Sequence, residues 1–288
     1  MILVTGGTGF VGRSLIQALI DGGRQYKTLQ CRLDNVTGLR GELIGVDTVI
    51  HLASAESRNR LKLLEHVDIL GTKLLLEACA EAGVEHFITL SRLNADPNSL
   101  YALLKAKGRA ERHIRESGME YTILRSATLF GRHDRFLNVI AGMAAWSWPF
   151  VWLPGKGLTA MQPMWVEDAC RCIIQCLDRP ELNNKTLEIA GAERLRYAEI
   201  AKLVINTSNL RRITFSPSVK IVRPLALLLF GWWRHPPITR YVLDRFTTPE
   251  VAPLDSVLRH FDFQPARLDQ RISYLRRRHP GLHLFRLG

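Results

Sequence analysis

The chain has 288 residues, a length that fits one large α/β domain or a domain with a small cap. Its 47% hydrophobic and 23% charged residues are those of an ordinary globular protein and exclude a disordered chain. The formal net charge of +12 leaves two interpretations open, an anionic partner or a solvated basic surface. No run of about 18 uncharged apolar residues occurs, so the sequence predicts no membrane-spanning helix.

The cysteines bear on metal binding and on the cellular compartment. They are Cys31, Cys79, Cys170, Cys172 and Cys176. No C-x-x-C pair occurs and no histidine stands near at ligand spacing, so we predict neither a metal site nor a disulfide framework. Apolar neighbours predict reduced core thiols, as in a cytoplasmic protein. A glycine-rich motif fills residues 5–12, so we expect no signal peptide.

Strand and helix patterns alternate along most of the chain. We predict strands at 1–5, 26–31, 47–53, 84–91, 121–125 and 185–190, and helices at 11–20, 70–82, 100–117, 136–145, 166–177 and 197–206. This alternation is typical of an α/β protein with a Rossmann-type, doubly wound parallel sheet. We expect a Rossmann-type core at 1–135, with late core elements at 162–191, and a smaller C-terminal substrate or partner region at 136–288.

A glycine-rich loop stands at residues 5–12, where the sequence is TGGTGFVG. It follows an apolar strand, opens a helix, and contains both G-x-G-x-x-G and G-x-x-G-x-x-G spacing. Such a loop needs glycine for its tight turn, for close approach of the backbone to a pyrophosphate, and for helix–strand packing. The pyrophosphate then lies at the helix N-terminus, where free N–H groups and the helix dipole favour an anion. The loop therefore predicts an NAD(P) site.

The end of the second strand selects between NAD and NADP. A carboxylate there binds the ribose hydroxyls of NAD, whereas an arginine accommodates the 2′-phosphate of NADP. The chain has Arg32 near this point, with Asp34 two residues later. Because a guanidinium is a good partner for phosphate, we predict NADP(H) rather than NAD(H) as the cofactor.

With this loop as its first motif, the chain resembles the atypical, extended short-chain dehydrogenase/reductase superfamily. The resemblance is carried further by DTVIHLAS at 47–54, VDILGTKLLLEAC at 67–79, GMEYTILRSATLFG at 118–131, QPMWVEDA at 162–169 and TLEIAG at 186–191. Within the superfamily the chain is most similar to the NmrA-like and complex I accessory-subunit group, described as NAD(P)H-binding or epimerase/dehydratase-like.

The resemblance implies roles for particular residues. The implied cofactor-binding residues are Gly6, Gly7, Thr8, Gly9, Phe10, Val11, Gly12, Arg32, Leu52, Ala53 and Ser54. Asp168 is expected to cap a helix rather than to take part in catalysis. The stretch from Arg32 to Asp47 is shorter than in relatives, which usually have a further strand and helix there and an acidic residue near the adenine.

The resemblance implies catalysis by a Tyr-x-x-x-Lys pair assisted by a serine or threonine, in which the lysine lowers the pKa of the phenol. Tyr101 and Lys105 have this spacing, and Ser91 ends the strand FITLS. This alignment makes Tyr101 the acid/base, Lys105 its tuner and Ser91 the residue that orients the substrate.

A second alignment of the same segment is open. The family's lysine is usually followed by a glutamate four residues later, and Glu111 stands at that distance from Lys107 rather than Lys105. The serine position would then be filled by Arg92. In this alignment the site holds a cofactor without catalysing a reaction.

His51, inside an apolar strand, is expected to be a hydrogen-bonded core residue.

The segment 221–233 (IVRPLALLLFGWW) is strongly apolar and is flanked by arginines. Two interpretations are open: a helix packed on the core, or a peripheral contact with an anionic membrane or membrane-bound partner. No nucleic-acid-binding module is recognisable.

Two functions therefore compete. The first is an NADP(H)-dependent oxidoreductase or epimerase-like enzyme that acts on an unknown small molecule. The second is a non-catalytic nucleotide-binding protein that stabilises or helps to assemble a redox complex, either in the cytoplasm or at a membrane.

Overall fold

The computed structural model describes residues 1–58, 60–146, 149–153, 157–215, 244 and 248–277. The strands are β1 (Ile2–Thr5), β2 (Tyr26–Thr28), β3 (Thr48–His51), β4 (His86–Arg92), β5 (Glu120–Ser126), β6 (Leu129–Phe130), β7 (Phe150–Trp152), β8 (Ala160–Met161), β9 (Met164–Trp165), β10 (Lys185–Ile189), β11 (Leu195–Arg196) and β12 (Ile213–Phe215).

The α-helices are α1 (Phe10–Asp21), α2 (Val36–Glu42), α3 (Leu61–Leu64), α4 (Thr72–Ala82), α5 (Ala102–Glu116), α6 (Leu137–Trp146), α7 (Val166–Leu177), α8 (Tyr197–Thr207) and α9 (Leu268–Arg271). A π-helical segment, Glu65–Gly71, leads from α3 into α4. Short 3₁₀ turns occupy Glu56–Arg58, Pro180–Leu182 and Ser273–Arg277.

Six parallel strands form the central sheet in the order β10-β5-β4-β3-β1-β2. Side chains alternate along a strand, so adjacent residues cover opposite faces. One face carries Val4, Ile50, Ile88 and Leu124 and packs against α1 and α7. The other face carries Leu3, Val49, Phe87 and Ile123 and packs against α2, α4 and α5. Both faces are covered, as a purely parallel sheet requires. The predicted Rossmann-type fold is thus confirmed.

A second hydrophobic cluster lies beside this sheet. It joins α6, β7 and α8 to the segment that contains α9. Asp134 ties the start of α6 to the C-terminal segment: its buried carboxylate accepts the backbone N–H groups of Gly131 and Phe136 and the hydroxyl of Tyr274. The boundary expected at residue 135 stays a prediction.

The predicted helices and strands agree with the observed ones to within a few residues at most places. β2 is the main exception, because it ends at Thr28 rather than at the predicted residue 31. The amide side chain of Gln30 folds back onto the carbonyl oxygen and hydroxyl of Thr28, which takes the chain away from the sheet. α2 occupies a stretch for which no element was predicted, and its N-terminal signal is Asn35, whose side chain accepts the N–H of Gly38.

Candidate functional site

The glycine-rich loop joins the carboxyl end of β1 to the first turn of α1. Gly6 has a left-handed φ of +70°, and a Cβ there would lie 2.7 Å from backbone atoms of Leu52 and Ala53. A Cβ on Gly12 would lie 2.2 Å from the carbonyl oxygen of Gly6. Both positions therefore need glycine for the fold itself.

Gly9 differs, because the space beside it is open toward a cavity. A Cβ there would meet the carbonyl oxygen of Gly6 at 3.1 Å and nothing else close. Gly9 also precedes α1, whose N-terminus has neither a side-chain cap nor an acidic residue in its first turn. Bare backbone N–H groups behind a glycine that faces the cavity form a cradle that fits a pyrophosphate.

The cavity has a volume of about 280 Å³ and opens where β1, β3, β4 and β5 end. Since β2 and β3 lie on opposite sides of β1, this is the point at which the strand order reverses, where α/β proteins bind dinucleotides. Several residues expected to bind the cofactor line it: Gly9, Phe10, Val11, Gly12, Leu52 and Ser54. Gly6, Gly7, Thr8 and Ala53 belong to the same two loops.

A buried carboxylate supports the cavity wall. Asp68, on the π-helical segment, is 1% exposed. It accepts the hydroxyl of Ser54 at 2.7 Å and the N–H of Ala55 at 2.8 Å, and it pairs with the ammonium of Lys107 at 2.8 Å. One aspartate therefore fixes both the loop after β3 and the lysine that lines the cavity.

His51 lies behind this wall, in β3. Its Nδ1 is 2.8 Å from the hydroxyl of Thr5, and its Nε2 is 3.1 Å from the hydroxyl of Thr72. Burial lowers its pKa to about 4, so the imidazole is neutral near pH 7. The expected role of His51 as a hydrogen-bonded core residue is confirmed.

The structure brings only part of the predicted catalytic trio to the cavity. Ser91 lines it, whereas Tyr101 lines a separate cavity of about 30 Å³ together with Leu103. Lys107 lines the nucleotide cavity, and Lys105 is not among the described residues that do so. The two lysines point about 160° apart around α5, because each residue of a helix advances about 100°.

Ser91 is engaged by a buried ion cluster. Its hydroxyl donates to the carboxylate of Glu111 at 2.6 Å, and Glu111 is 1% exposed. Arg125 and Arg115 each donate to the same carboxylate at 2.7 Å. The serine hydroxyl is thereby oriented toward Glu111, and Arg92 follows it at the end of β4.

Arg92 lines both cavities and is held by two acids. Its guanidinium pairs with Glu56, in the 3₁₀ turn after β3, and lies 3.5 Å from Glu250. Burial alone would lower the pKa of Arg92, but Glu56 and Glu250 raise it above its ordinary value. Glu250 also accepts the hydroxyl of Thr128, which lines the nucleotide cavity. Glu250 thus binds its segment to Arg92 and Thr128, which line the nucleotide cavity.

Arg32 lies in the loop after β2, four residues beyond the last strand residue. Its side chain is 78% exposed and contacts Asp34 at 3.2 Å. Asp34 also accepts from His66 at 3.0 Å, and that contact is the largest influence holding the Asp34 pKa below its ordinary value. Arg32 is not among the described residues that line the cavity.

One expectation is wrong. Asp168 lies in the first turn of α7 but does not cap it, because the N-cap residue is Trp165 and has no side-chain bond. The carboxylate of Asp168 instead accepts the N–H of Ala266 at 2.8 Å and so ties the C-terminal segment to α7. Burial raises its pKa.

Four cysteines are buried, and burial raises the pKa of each: Cys79, Cys170, Cys172 and Cys176. The expectation of core thiols is confirmed for these four, whereas Cys31 is only half-buried.

Among the described residues, no helix is long and apolar enough to cross a membrane.

Sequence analysis missed Asp68, Glu56 and Glu250 as parts of the site. Asp68 carries a signal, since it is a carboxylate in the otherwise apolar stretch VDILG. Glu56 and Glu250 belong to irregular segments, and their meeting at Arg92 depends on the tertiary fold.

Comparison with known proteins agrees with this geometry. The model of an NAD(P)H-binding family matches residues 21–136. A mitochondrial NADH dehydrogenase (ubiquinone) 1 alpha subcomplex subunit 9 from Mus musculus is 28% identical over 312 residues, which cover 96% of this chain and 79% of the relative. A photosystem II assembly factor from Synechocystis sp. is 23% identical over 300 residues, which cover 95% and 89%.

Solved structures share the fold. An NADPH-dependent quinone oxidoreductase from Escherichia coli, complexed with NADPH, has a TM-score of 0.75 at 16% identity, covering 96% of this chain and 99% of that one. A UDP-glucose 4-epimerase from Thermotoga maritima has a TM-score of 0.74 at 18% identity, covering 99% and 98%. This chain therefore carries an NAD(P)H-binding domain, matched over residues 21–136, and is similar over nearly its whole length to an NADH dehydrogenase subunit and a photosystem II assembly factor.

Proposed function

We propose that the chain binds NADP(H) as a structural ligand and supports the assembly or stability of a membrane-associated redox complex. The observation that carries this proposal is the environment of the cavity lysine. Lys107 is paired with the buried Asp68, and the residue one helical turn before it is Leu103. A dehydrogenase of this type needs a phenol there, because the lysine must lower the pKa of a group that exchanges a proton. Leucine has no such proton.

The two other members of the expected trio support the same conclusion. The hydroxyl of Ser91 already donates to Glu111, and Tyr101 faces a different cavity. The names of two relatives point in the same direction, one being a subunit of NADH dehydrogenase and the other an assembly factor.

Nucleotide binding is tested first with Gly9→Asp, which places a side chain and a negative charge where the pyrophosphate would lie. Gly41→Asp is the matched control, since a Cβ at Gly41 meets nothing within 4 Å. We expect calorimetry to detect NADPH binding to the wild type and the control but not to Gly9→Asp. Equal affinities in all three proteins would refute the site.

The role is tested with the same variants in cells. We expect Gly9→Asp, but not Gly41→Asp, to lower the amount of the assembled membrane redox complex. Purified wild type should bind NADPH without oxidising it when quinones and carbonyl compounds are supplied. Sustained turnover would establish the competing function, an oxidoreductase or epimerase-like enzyme, with Ser91, Tyr101 and Lys105 or Lys107 as its first residues to test.

The preference for NADP(H) over NAD(H) is part of the proposal. NAD selection needs a carboxylate at the end of β2, and the residues there are Leu29, Gln30 and Cys31. The exposed guanidinium of Arg32 is available to a 2′-phosphate. Arg32→Ala should weaken NADPH binding about 10- to 100-fold and leave NADH binding nearly unchanged. Equal losses for both nucleotides would indicate general electrostatics.

We further propose that this cytoplasmic protein contacts an anionic membrane or a membrane-bound partner peripherally, through the segment 221–233. That segment lies outside the described residues, so the sequence alone supports this part. Trp232→Ser with Trp233→Ser should preserve folding and reduce co-sedimentation with anionic liposomes. If the wild type fails to sediment at low salt, direct lipid contact is refuted, and a lower melting temperature in the variant would indicate core packing.

A further inference from the structure

We infer that Arg13 is a specificity-determining residue for the cofactor, and that its guanidinium binds the 2′-phosphate of NADP(H). This inference rests on the proposed preference for NADP(H). Arg13 follows the last glycine of the loop and lies in the first turns of α1.

The conformation of the Arg13 side chain brings its charge back to the phosphate loop. Side chains of a helix lean toward its N-terminus, and the guanidinium of Arg13 reaches back to donate to the carbonyl oxygen of Thr8 at 3.0 Å. The cation is therefore held over the phosphate loop although the residue is exposed. An arginine whose only role was solubility would not be expected to fold back onto the loop.

The contact between Arg13 and Thr8 lies on the side of the loop that is next to β2. Thr8 follows Gly7, and a Cβ on Gly7 would lie 2.9 Å from the side chain of Thr28, the last residue of β2. When the pyrophosphate lies at the N-terminus of a Rossmann helix, the adenosine ribose lies toward the end of the second strand. A guanidinium fixed on Thr8 is thus on the ribose side of the cradle.

The charge balance around Arg13 favours an anionic ligand. Within the described part of the chain, no acidic side chain forms an ion pair with it. A guanidinium has five N–H donors, and the contact with Thr8 uses only one nitrogen. Donors therefore remain for the oxygens of a phosphate.

The experiment compares wild type, Arg13→Gln, Arg13→Lys and the control Arg109→Gln, which removes one exposed charge from α5. Glutamine keeps an N–H donor for the Thr8 carbonyl and removes the charge. Calorimetry at 0.15 M salt, where distant charges are screened, measures NADPH, NADH, 2′,5′-ADP and 5′-AMP. The short nucleotides isolate the 2′-phosphate from the rest of the cofactor, and melting curves check that each variant is folded.

We expect Arg13→Gln to weaken the binding of NADPH and 2′,5′-ADP about 10-fold or more and to leave the binding of NADH and 5′-AMP nearly unchanged. The affinity of Arg13→Lys for NADPH should lie between those of the wild type and Arg13→Gln, because an ammonium cannot match a guanidinium in bidentate geometry. Arg109→Gln should match the wild type. Equal losses for phosphorylated and unphosphorylated ligands would overturn the inference and leave nucleotide binding intact. A wild type that binds none of the four ligands would overturn the proposed function itself.

Discussion

The ion pair between Asp68 and Lys107 gives the sharpest test of whether the cavity lysine is structural. At 2.8 Å and an effective dielectric constant of about 20, the attraction is about 6 kcal/mol before desolvation is subtracted. Removing one partner leaves the other charge buried, which costs about 3–5 kcal/mol. Asp68→Asn also weakens two bonds that position the loop after β3.

This loss of stability converts into a measurable change in Tm. At about 2.1 cal/mol/K per residue, a chain of 288 residues unfolds with an entropy of about 0.6 kcal/mol/K. Asp68→Asn and Lys107→Met should therefore each lower Tm by about 5–8 °C. The double variant should lose at least about 2 kcal/mol less than the sum of the single variants, because neither charge is then left alone.

Calorimetry and urea unfolding of the four proteins provide the measurement. The control is the exposed pair of Lys73 and Glu77 on α4, at 3.8 Å, whose removal should cost less than about 0.5 kcal/mol. Small, additive losses for Asp68 and Lys107 would refute the structural role. Such a result, combined with NADPH turnover that Lys107→Met abolishes, would assign the lysine to catalysis.

Three further predictions follow from the same geometry. Gly12→Ala should destabilise the fold by about 3 kcal/mol or more, because its Cβ would lie 2.2 Å from a backbone atom. Gly9→Ala should instead keep stability within about 1 kcal/mol and lose nucleotide binding, as calorimetry with NADPH would show. His51 should lower the free energy of unfolding as the pH falls from about 6.5 to about 4. Its folded pKa of about 4 lies below the unfolded value of 6.5, so the unfolded chain binds the extra proton first. The loss of stability reaches about 3 kcal/mol and then levels off. His51→Asn should flatten that part of the pH profile of urea unfolding, and an unchanged slope would contradict the assignment. Tyr274→Phe should lower stability by about 1.5–3 kcal/mol in urea unfolding, because it removes a donor from the buried Asp134 carboxylate, and a loss below about 0.5 kcal/mol would contradict that role.

The parts of the fold that depend on local pattern were predictable from sequence. Central strands such as β1 and β3 are short apolar runs, and a glycine that ends a helix, such as Gly83 with its φ of +73°, marks a boundary by its backbone freedom. The phosphate loop was predictable for the same reason, since strand, glycines and helix are contiguous in the chain. Position 41, in α2, illustrates the limit: glycine inside a helix gives no helical signal, and the element was missed.

The catalytic alignment was not decidable from sequence. Tyr101 and Lys105 have the family spacing, and so do Lys107 and Glu111. The choice depends on which face of α5 meets the cavity, and that face is set by the buried positions of the helix, such as Ala106 and Ala110. Spacing fixes which residues share a face but not which face is buried against the site.

Under the proposed function, the charges around the cavity order the site rather than activate a reacting group. Lys107 is paired with Asp68, and Arg92 is held by Glu56 and Glu250. A paired cation alters the pKa of a neighbouring group less than a lone one, because the field of its partner opposes its own beyond the pair. These pairs also hold the loop after β3, the floor at β4 and the segment around Glu250 in one arrangement. In the proposed function, charges that could activate an acid/base instead order the walls of the site. A site of this kind would transmit to the rest of the protein whether a nucleotide is bound.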